Sequence, residues 1–508
     1  TDPSAGNYDI NATCDDGSCC YADTSYTTIT ACDSVVWNGV TYDSSGQYTY
    51  IPEFTQLGGD IDGEAATDGS GYSVSLSADG NTVAIGASGN DGNGTDAGHV
   101  RIYENTGGSW SQIGQDIDGE AANDYSGNSV SLSADGGTVA IGAKGNDGNG
   151  NQSGHVRIYE NTGGSWTQIG QDIDGEASGD LSSWSVSLSS DGNTVAIGAQ
   201  ENDGNGYISG EGGNVYNSGH VRVYENILGT WTQIGQDIDG EAAEDYSGNS
   251  VSLSSDGNTV AIGATNNDGN GSNAGHVRIY ENTGGSWSQI GGDIDGEATL
   301  DQSGLSVSLS SDGSKVAIGS LHNDGNGSSS GHVRIYENTG GSWSQIGLDI
   351  DGEAAGDYSG GSVSLSADGN TVAIGSRQND GNGSSSGHVR IYENTGGSWS
   401  QIGLDIDGEA AGDYSGESVS LSADGNTVAI GASENVGNGL ASGHVRVYNL
   451  PTLTNAGGCD STAILNLTIT NANTSTTTIA ACDSYTWNGN TYTTSGSYSW
   501  LGTNMEAC

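Results

Sequence analysis

Polar and apolar positions alternate along this chain in short runs, and the runs recur. In the copy from Gln115 to Gly170, four runs put branched apolar residues at every second position: Ser129–Ser133 (SVSLS), Thr138–Ala143 (TVAIGA), His155–Tyr159 (HVRIY) and Trp166–Ile169 (WTQI). That period is the mark of strands. Gly, Asn and Asp clusters such as ADGG, NDGNG and NTGG separate the runs and read as turns. No segment has helical spacing, and 88 glycines disfavour long helices. Four antiparallel strands per unit predict a propeller blade.

The unit is about 56 residues long. Its tryptophans, Trp110, Trp166, Trp231, Trp287, Trp343 and Trp399, are spaced by 56, 65, 56, 56 and 56 residues. The long interval holds an insertion near Tyr207–Tyr216. A GHVR signature begins at Gly98, Gly154, Gly219, Gly275, Gly331, Gly387 and Gly443, which predicts seven blades. The seventh copy stops at Tyr448–Asn449 without its WxQIG run, and Phe54–Gly58 (FTQLG) carries that run at the other end. An N-terminal strand that completes the last blade would close the ring and remove exposed edges. Residues 54 and 449 are then expected to be neighbours.

The pattern SGxSVSLSxDGxTVAIGA…GHVRIYE resembles the FG-GAP repeats, the family that includes the seven-bladed propeller of integrin α chains, over about residues 54–449. This sequence departs from the integrin version at the loop after the first strand, which is the short SADGN or SSDGN and lacks the longer Asp/Asn-rich calcium loop.

Of the 508 residues only 32% are apolar, and 64 acids against 10 bases give a net charge of −54. Such a balance excludes nucleic acid and an anionic membrane surface as partners, because both need basic patches. No apolar run is long enough to span a bilayer, and no membrane insertion is expected. The sequence shows no signal peptide and starts at Thr1 without Met, so it reads as processed or excised.

All seven cysteines (Cys14, Cys19, Cys20, Cys32, Cys459, Cys482 and Cys508) lie outside the repeats, in Thr-rich flanks. This arrangement predicts disulfides and an extracellular, secreted or cell-surface setting. The odd count leaves one thiol free or linked to another chain. Residues 1–25 are a turn-rich Cys segment. Residues 26–50 and 476–500 match at a constant offset of 450: Cys32 with Cys482, Trp37 with Trp487, Tyr42 with Tyr492 and Gly46 with Gly496. One Cys–Trp β module is therefore expected to start in 26–50, be interrupted by the propeller at 51–451, and resume in 452–475 with the strand-like Ala463–Thr470. A second, truncated copy fills 476–508. The alignment suggests Cys32–Cys459 and Cys482–Cys508 pairs. The flanks resemble Cys-rich modules of secreted Bacteroidetes surface proteins, and joining Cys508 to Thr1 would restore that motif as CTDPSAGNY, as in a head-to-tail polymer.

Loops alternate between two faces of a propeller. The SADGN and ENTGGS loops share one face and hardly vary. The DIDGEAAxDYSG and xxNDGNGxxxG loops share the other, where Ser88-Gly89, Lys144-Gly145, Gln200-Glu201, Leu321-His322 and Arg377-Gln378 occupy one variable position. A ligand is expected on that face. It also carries repeated carboxylates: Asp116, Asp118 and Glu120, then Asp172, Asp174 and Glu176. Acids at i, i+2 and i+4 beside a Gly turn can give a hard cation oxygen ligands, and calcium is the ion considered; the alternative is soluble turn chemistry. His99 and Arg101 recur in every copy, which points to packing, with Arg tied to a carboxylate or carbonyl, rather than to catalysis. Trp110 and Phe54 are structural in the same sense. Candidate glycosylation positions are Asn11, Asn93, Asn466 and Asn473 in sequons, and Ser34 and Ser461 in Asp-Ser contexts. No stretch resembles a nucleophile elbow, a P-loop, a dinucleotide fingerprint or an HExxH zinc site.

The expected protein is all-β and non-enzymatic. It is read as a structural or adhesive surface component whose partners are copies of itself in a filament or matrix. The alternative is an adhesin or lectin-like module that grips a glycan or protein on its variable face.

Overall fold

In the computed structural model, residues 23–32, 34–37, 40–49, 53–204, 216–450, 461–470, 478–481, 483–487 and 489–498 are described. Each repeat folds as one antiparallel sheet. In the first, Ser73–Leu76, Thr82–Ala87, His99–Asn105 and Trp110–Gln112 pair in chain order. The two-residue strand Ile117–Asp118 adds to the His99–Asn105 strand beyond Trp110–Gln112. Among the described residues this four-stranded arrangement recurs seven times. The last sheet takes its fourth strand from the N-terminal side: Thr55 pairs with Asn449 and Gln56 with Tyr448. Ile61–Asp62 then pairs with Val445 and His444. The repeated sheets make a β-propeller.

The core lies between sheets, because each buries one face against the next. Ala84, Val100 and Ile102 of the first meet Val130, Leu132, Val139 and Ile141 of the second. At the other end of the repeat series, Ala429, Val445 and Val447 meet Val74, Leu76, Val83 and Ile85. Small residues allow this closeness. A Cβ on Gly86 would stand 2.1 Å from the Gly127 carbonyl, and one on Gly263 2.0 Å from that of Gly304.

The innermost strands are joined by three belts of hydrogen bonds that run from sheet to sheet. In the first, backbone amides donate from Ala78 to Ala134, on through Ser190, Ser255, Ser311, Ala367 and Ala423, and back to Ala78, at 2.8–3.0 Å. In the second, each Leu amide of the SVSL strand donates to a serine hydroxyl of the preceding sheet, as Leu132 does to Ser75, and Leu76 to Ser420 at 2.9 Å. In the third, the first serine of the strand donates to a carbonyl of the following sheet, as Ser73 does to Gly127 and Ser418 to Gly71 at 2.8 Å. The repeating serines of SVSLS are thus cross-links, which explains why buried inner strands carry polar residues.

Outer strands are latched by tryptophan. The Trp110 indole Nε1 donates to the Leu57 carbonyl at 2.7 Å, and Trp166 to Ile113 at 2.9 Å. Phe54 takes the corresponding place at the closure, its ring lying where a Cβ on Gly403 would meet it.

The chain divides into two units, Glu53–Leu450 and Thr1–Pro52 with Pro451–Cys508. In the second, Ser461–Thr470 is the middle strand of three. It runs parallel to Asp23–Cys32 and antiparallel to Gly46–Thr49. Leu465 and Leu467 are its buried residues. Hairpins at Val35–Trp37/Val40–Tyr42 and Tyr485–Trp487/Asn490–Tyr492 sit at the 450-residue offset.

Candidate functional site

Two places concentrate chemistry in the propeller: the end of the inner strands where the repeat varies, and the seams between neighbouring sheets.

At the first, one variable residue precedes each SVSL strand and another follows each TVAIGA strand. The pairing of Ser73 with Gly86 brings these two positions to the same end of the sheet, opposite the amide belt. In five of the seven copies the first position is Tyr72, Asn128, Trp184, Asn249 or Glu417. Asn128 and Asn249 extend the cross-linking, donating to the Ser183 and Leu305 carbonyls at 3.0 Å. The others depart from it. The Lys144 ammonium lies 4.2 Å from the centre of the Trp184 ring and 5.9 Å from that of Tyr72. Desolvation lowers its pKa, against the pull of Glu201. In the last two sheets, Arg377 donates to Glu417 at 3.2 Å, and the Ser433 hydroxyl donates to the other Glu417 oxygen. Desolvation raises the Tyr72 phenol, Glu417 raises it further, and Arg377 opposes them. The two groups therefore meet where the last sheet adjoins the first, as the Ser418 hydroxyl bonded to the Gly71 carbonyl shows. His322 stands beside Tyr358, ring centres 5.2 Å apart, with its Nδ1 3.3 Å from the Ser329 hydroxyl.

The seams carry the repeated histidines, arginines and acids. His332 is buried, and its Nδ1 faces Glu297 Oε2 at 3.9 Å and Asp349 Oδ2 at 4.0 Å. Arg334 holds the other glutamate oxygen at 3.7 Å and donates to the Asp295 carbonyl at 2.7 Å. The Gln345 amide donates to the other aspartate oxygen at 2.6 Å. His388 repeats this with Glu353 and Asp405 at 3.9 and 3.8 Å. Burial first, and the neighbouring arginine second, push the His332 and His388 imidazoles down to about 4. His99 and Arg101 stand in the same environment, with Asp116 3.9 Å and Glu64 3.6 Å from them respectively.

Residues 117–159 and 238–280 match the FG-GAP repeat. Each match runs from the short ID strand to the HVRIY strand, so it takes in three strands of a blade with the glutamate and histidine of one seam, and stops before Asp172 or Asp293. No curated protein matches the sequence. Among solved structures, the chain is similar to Kuenenia stuttgartiensis hydrazine synthase, at 14% identity over 74% of this chain and 94% of that one, with a TM-score of 0.46. A Bacteroides uniformis protein described as a 6-phosphogluconolactonase aligns at 11% identity over 68% and 88%, also with a TM-score of 0.46.

The six loop acids proposed from sequence as cation ligands do not gather by loop. Asp116 groups with Glu64 and His99, Glu120 and Asp172 with His155, and Glu176 with His220 and Asp237. Asp118 and Asp174 instead face Gly92 and Gly148 of the NDGNG loops. The cause is Gly119, where the chain crosses from one blade to the next: its amide bonds Gly98, and a Cβ there would sit 2.0 Å from the Ala97 carbonyl. Each of these groups joins an imidazole nitrogen to two carboxylates, whereas calcium takes oxygen ligands. Asp124 is committed elsewhere: buried, it accepts from the Ala121 amide and from Asn146.

The Asn93 amide donates to the Gly119 and Glu120 carbonyls. The Asn466 carbonyl oxygen accepts from Gln47, and Ser34 is exposed. Ser461 begins the middle strand of the flanking unit. Cys32 ends the strand Asp23–Cys32. Asn11, Asn473, Cys14, Cys19, Cys20, Cys459, Cys482 and Cys508 lie outside the described residues, as does the insertion over 205–215. Tyr72, Trp184 and Glu417 were not singled out from sequence, although the x of SGxSVSLS varies between copies and could have marked them.

Proposed function

We propose that the chain is a seven-bladed propeller of an extracellular protein that acts as a binding module, taking a glycan at the opening framed by Tyr72, Lys144 and Trp184. The observation that carries this reading is where the repeat breaks. Belts, seams and latches are near copies of one another, while one aromatic–lysine group and one Arg–Glu pair occur once each around the opening. Catalysis or recognition needs such an asymmetric set, and sevenfold repetition supplies none. Aromatic faces suit the apolar faces of sugar rings, and a desolvated ammonium is available to a carboxylate or hydroxyl. A glycan array followed by calorimetry on the best hit tests the proposal. Trp184→Ala is expected to weaken binding about tenfold or more, near 1.4 kcal/mol. Equal binding by the variant would overturn it.

A second reading, self-association through the flanks, draws on the three-stranded sheet of the other unit. Its middle strand, Ser461–Thr470, follows the propeller in the chain, while the two outer strands precede it. The same strand supplied by a second copy would satisfy identical backbone pairs, which is the logic of strand addition. Electron microscopy of the secreted material tests this: a regular axial repeat supports it and dispersed single particles oppose it.

A further inference from the structure

The seam clusters contain a geometric oddity. His332 and His388 are 1% exposed, and neither ring nitrogen of either has a hydrogen-bond partner. Buried polar nitrogens are ordinarily paired. The facing carboxylate oxygens stand 3.8–4.0 Å from Nδ1. That gap is too long for a direct hydrogen bond, which needs about 2.7–3.2 Å. It is too short for a bridging water, whose two legs of the same length call for roughly 4.5–5.5 Å. An interposed ion with legs of about 2.0–2.2 Å to nitrogen and oxygen spans it.

The carboxylates are also held for such a role. One oxygen of Asp349 accepts from Gln345 at 2.6 Å, and one of Glu297 is drawn by the Arg334 charge at 3.7 Å, which leaves Oε2 and Oδ2 facing the imidazole. In the next copy Gln401 donates to Asp405 at 2.7 Å and the Arg390 charge lies 3.9 Å from Glu353. Outer partners that orient ligands from behind are a feature of metal sites. The set mixes one imidazole with two carboxylates and opens to solvent on the acid side, where Glu297 and Asp349 are 43% and 32% exposed.

We infer that these seams bind a divalent transition-metal ion such as zinc, through His332 Nδ1, Glu297 Oε2 and Asp349 Oδ2 in one copy and their counterparts around the ring. Imidazole in the set selects for a borderline ion over calcium or magnesium. An ion here would bridge two sheets, because Glu297 follows one blade's outer strand and His332 belongs to the next blade.

The full-length chain, stripped with chelator and dialysed against Zn²⁺, tests this by elemental analysis. About seven ions per chain are expected, one for each seam histidine. The Glu297→Gln/Asp349→Asn double variant, altered only at half-exposed side chains, is expected to hold one ion fewer with an unchanged circular dichroism spectrum. Cobalt(II) in place of zinc should give visible absorption bands of mixed nitrogen and oxygen ligation. Less than one ion per chain, an unchanged stoichiometry in the double variant, or displacement of zinc by an equal concentration of Ca²⁺ would each overturn the assignment.

Discussion

Phe54 occupies the place that tryptophan holds in the other outer strands, without an indole N–H for the Ile402 carbonyl. Trp399 makes that bond to Ile346 at 2.9 Å one copy earlier. Phe54→Trp is therefore expected to stabilise the propeller by about 1 kcal/mol, the usual net value of a neutral hydrogen bond. An upward shift of the urea midpoint at constant slope would show it. The seam histidines give a second expectation. Their pKa in the folded chain is about 4 for His155, His220, His276, His332 and His388, below an ordinary value of 6.5. The unfolded chain thus binds protons that the folded one refuses, so stability falls as pH drops from 6.5 towards 4. It should be flat above 7 as far as these groups are concerned. Urea midpoints measured with chelator across pH 4–8 check the direction, and a midpoint that rises on acidification would contradict it.

Within the blade, close approach of backbones sets what substitution can do. Gly263→Ala would drive a Cβ to 2.0 Å from the Gly304 carbonyl oxygen, with the Ser250 hydroxyl at 2.5 Å. A loss of several kcal/mol, or failure to fold, is expected. Gly59→Ala meets nothing within 4 Å and should change stability by less than about 0.5 kcal/mol. Thermal unfolding of the pair decides the matter. The strands themselves were legible in the sequence because alternation and turn residues are local signals. The loop acids were read as local groups, whereas the clusters that hold Asp116, Glu120, Asp172 and Glu176 draw on two blades. Glu120 and Asp172 are 52 positions apart and meet only because Gly119 passes the chain to the following blade. Tyr72 and Glu417, separated by most of the propeller, become electrostatic neighbours only because the last sheet closes on the first, with Ser418 bonded to Gly71. No spacing rule reveals such partners.

At the scale of the ring, three belts and the outer latches make each sheet depend on both neighbours. Deleting 53–58 removes the fourth strand of one sheet and the Leu57 carbonyl that Trp110 uses. It also exposes the edge of His444–Asn449. Such a chain is expected to unfold at lower temperature and to associate through that edge, as light scattering and calorimetry would record. Unchanged melting and a monodisperse particle would mean that the belts alone hold the ring.

The clasp at Thr55–Gln56 has a mechanical corollary. The chain enters beside the point where it leaves, on antiparallel strands, so a pull on the two leads would part the pairs in sequence rather than shear them together. Load would fall first on Phe54, the two pairs at Thr55–Gln56 and the Leu57–Val447 bond, before it reached the belts that join this sheet to its neighbours. Under tension the ring would thus yield first at one defined place.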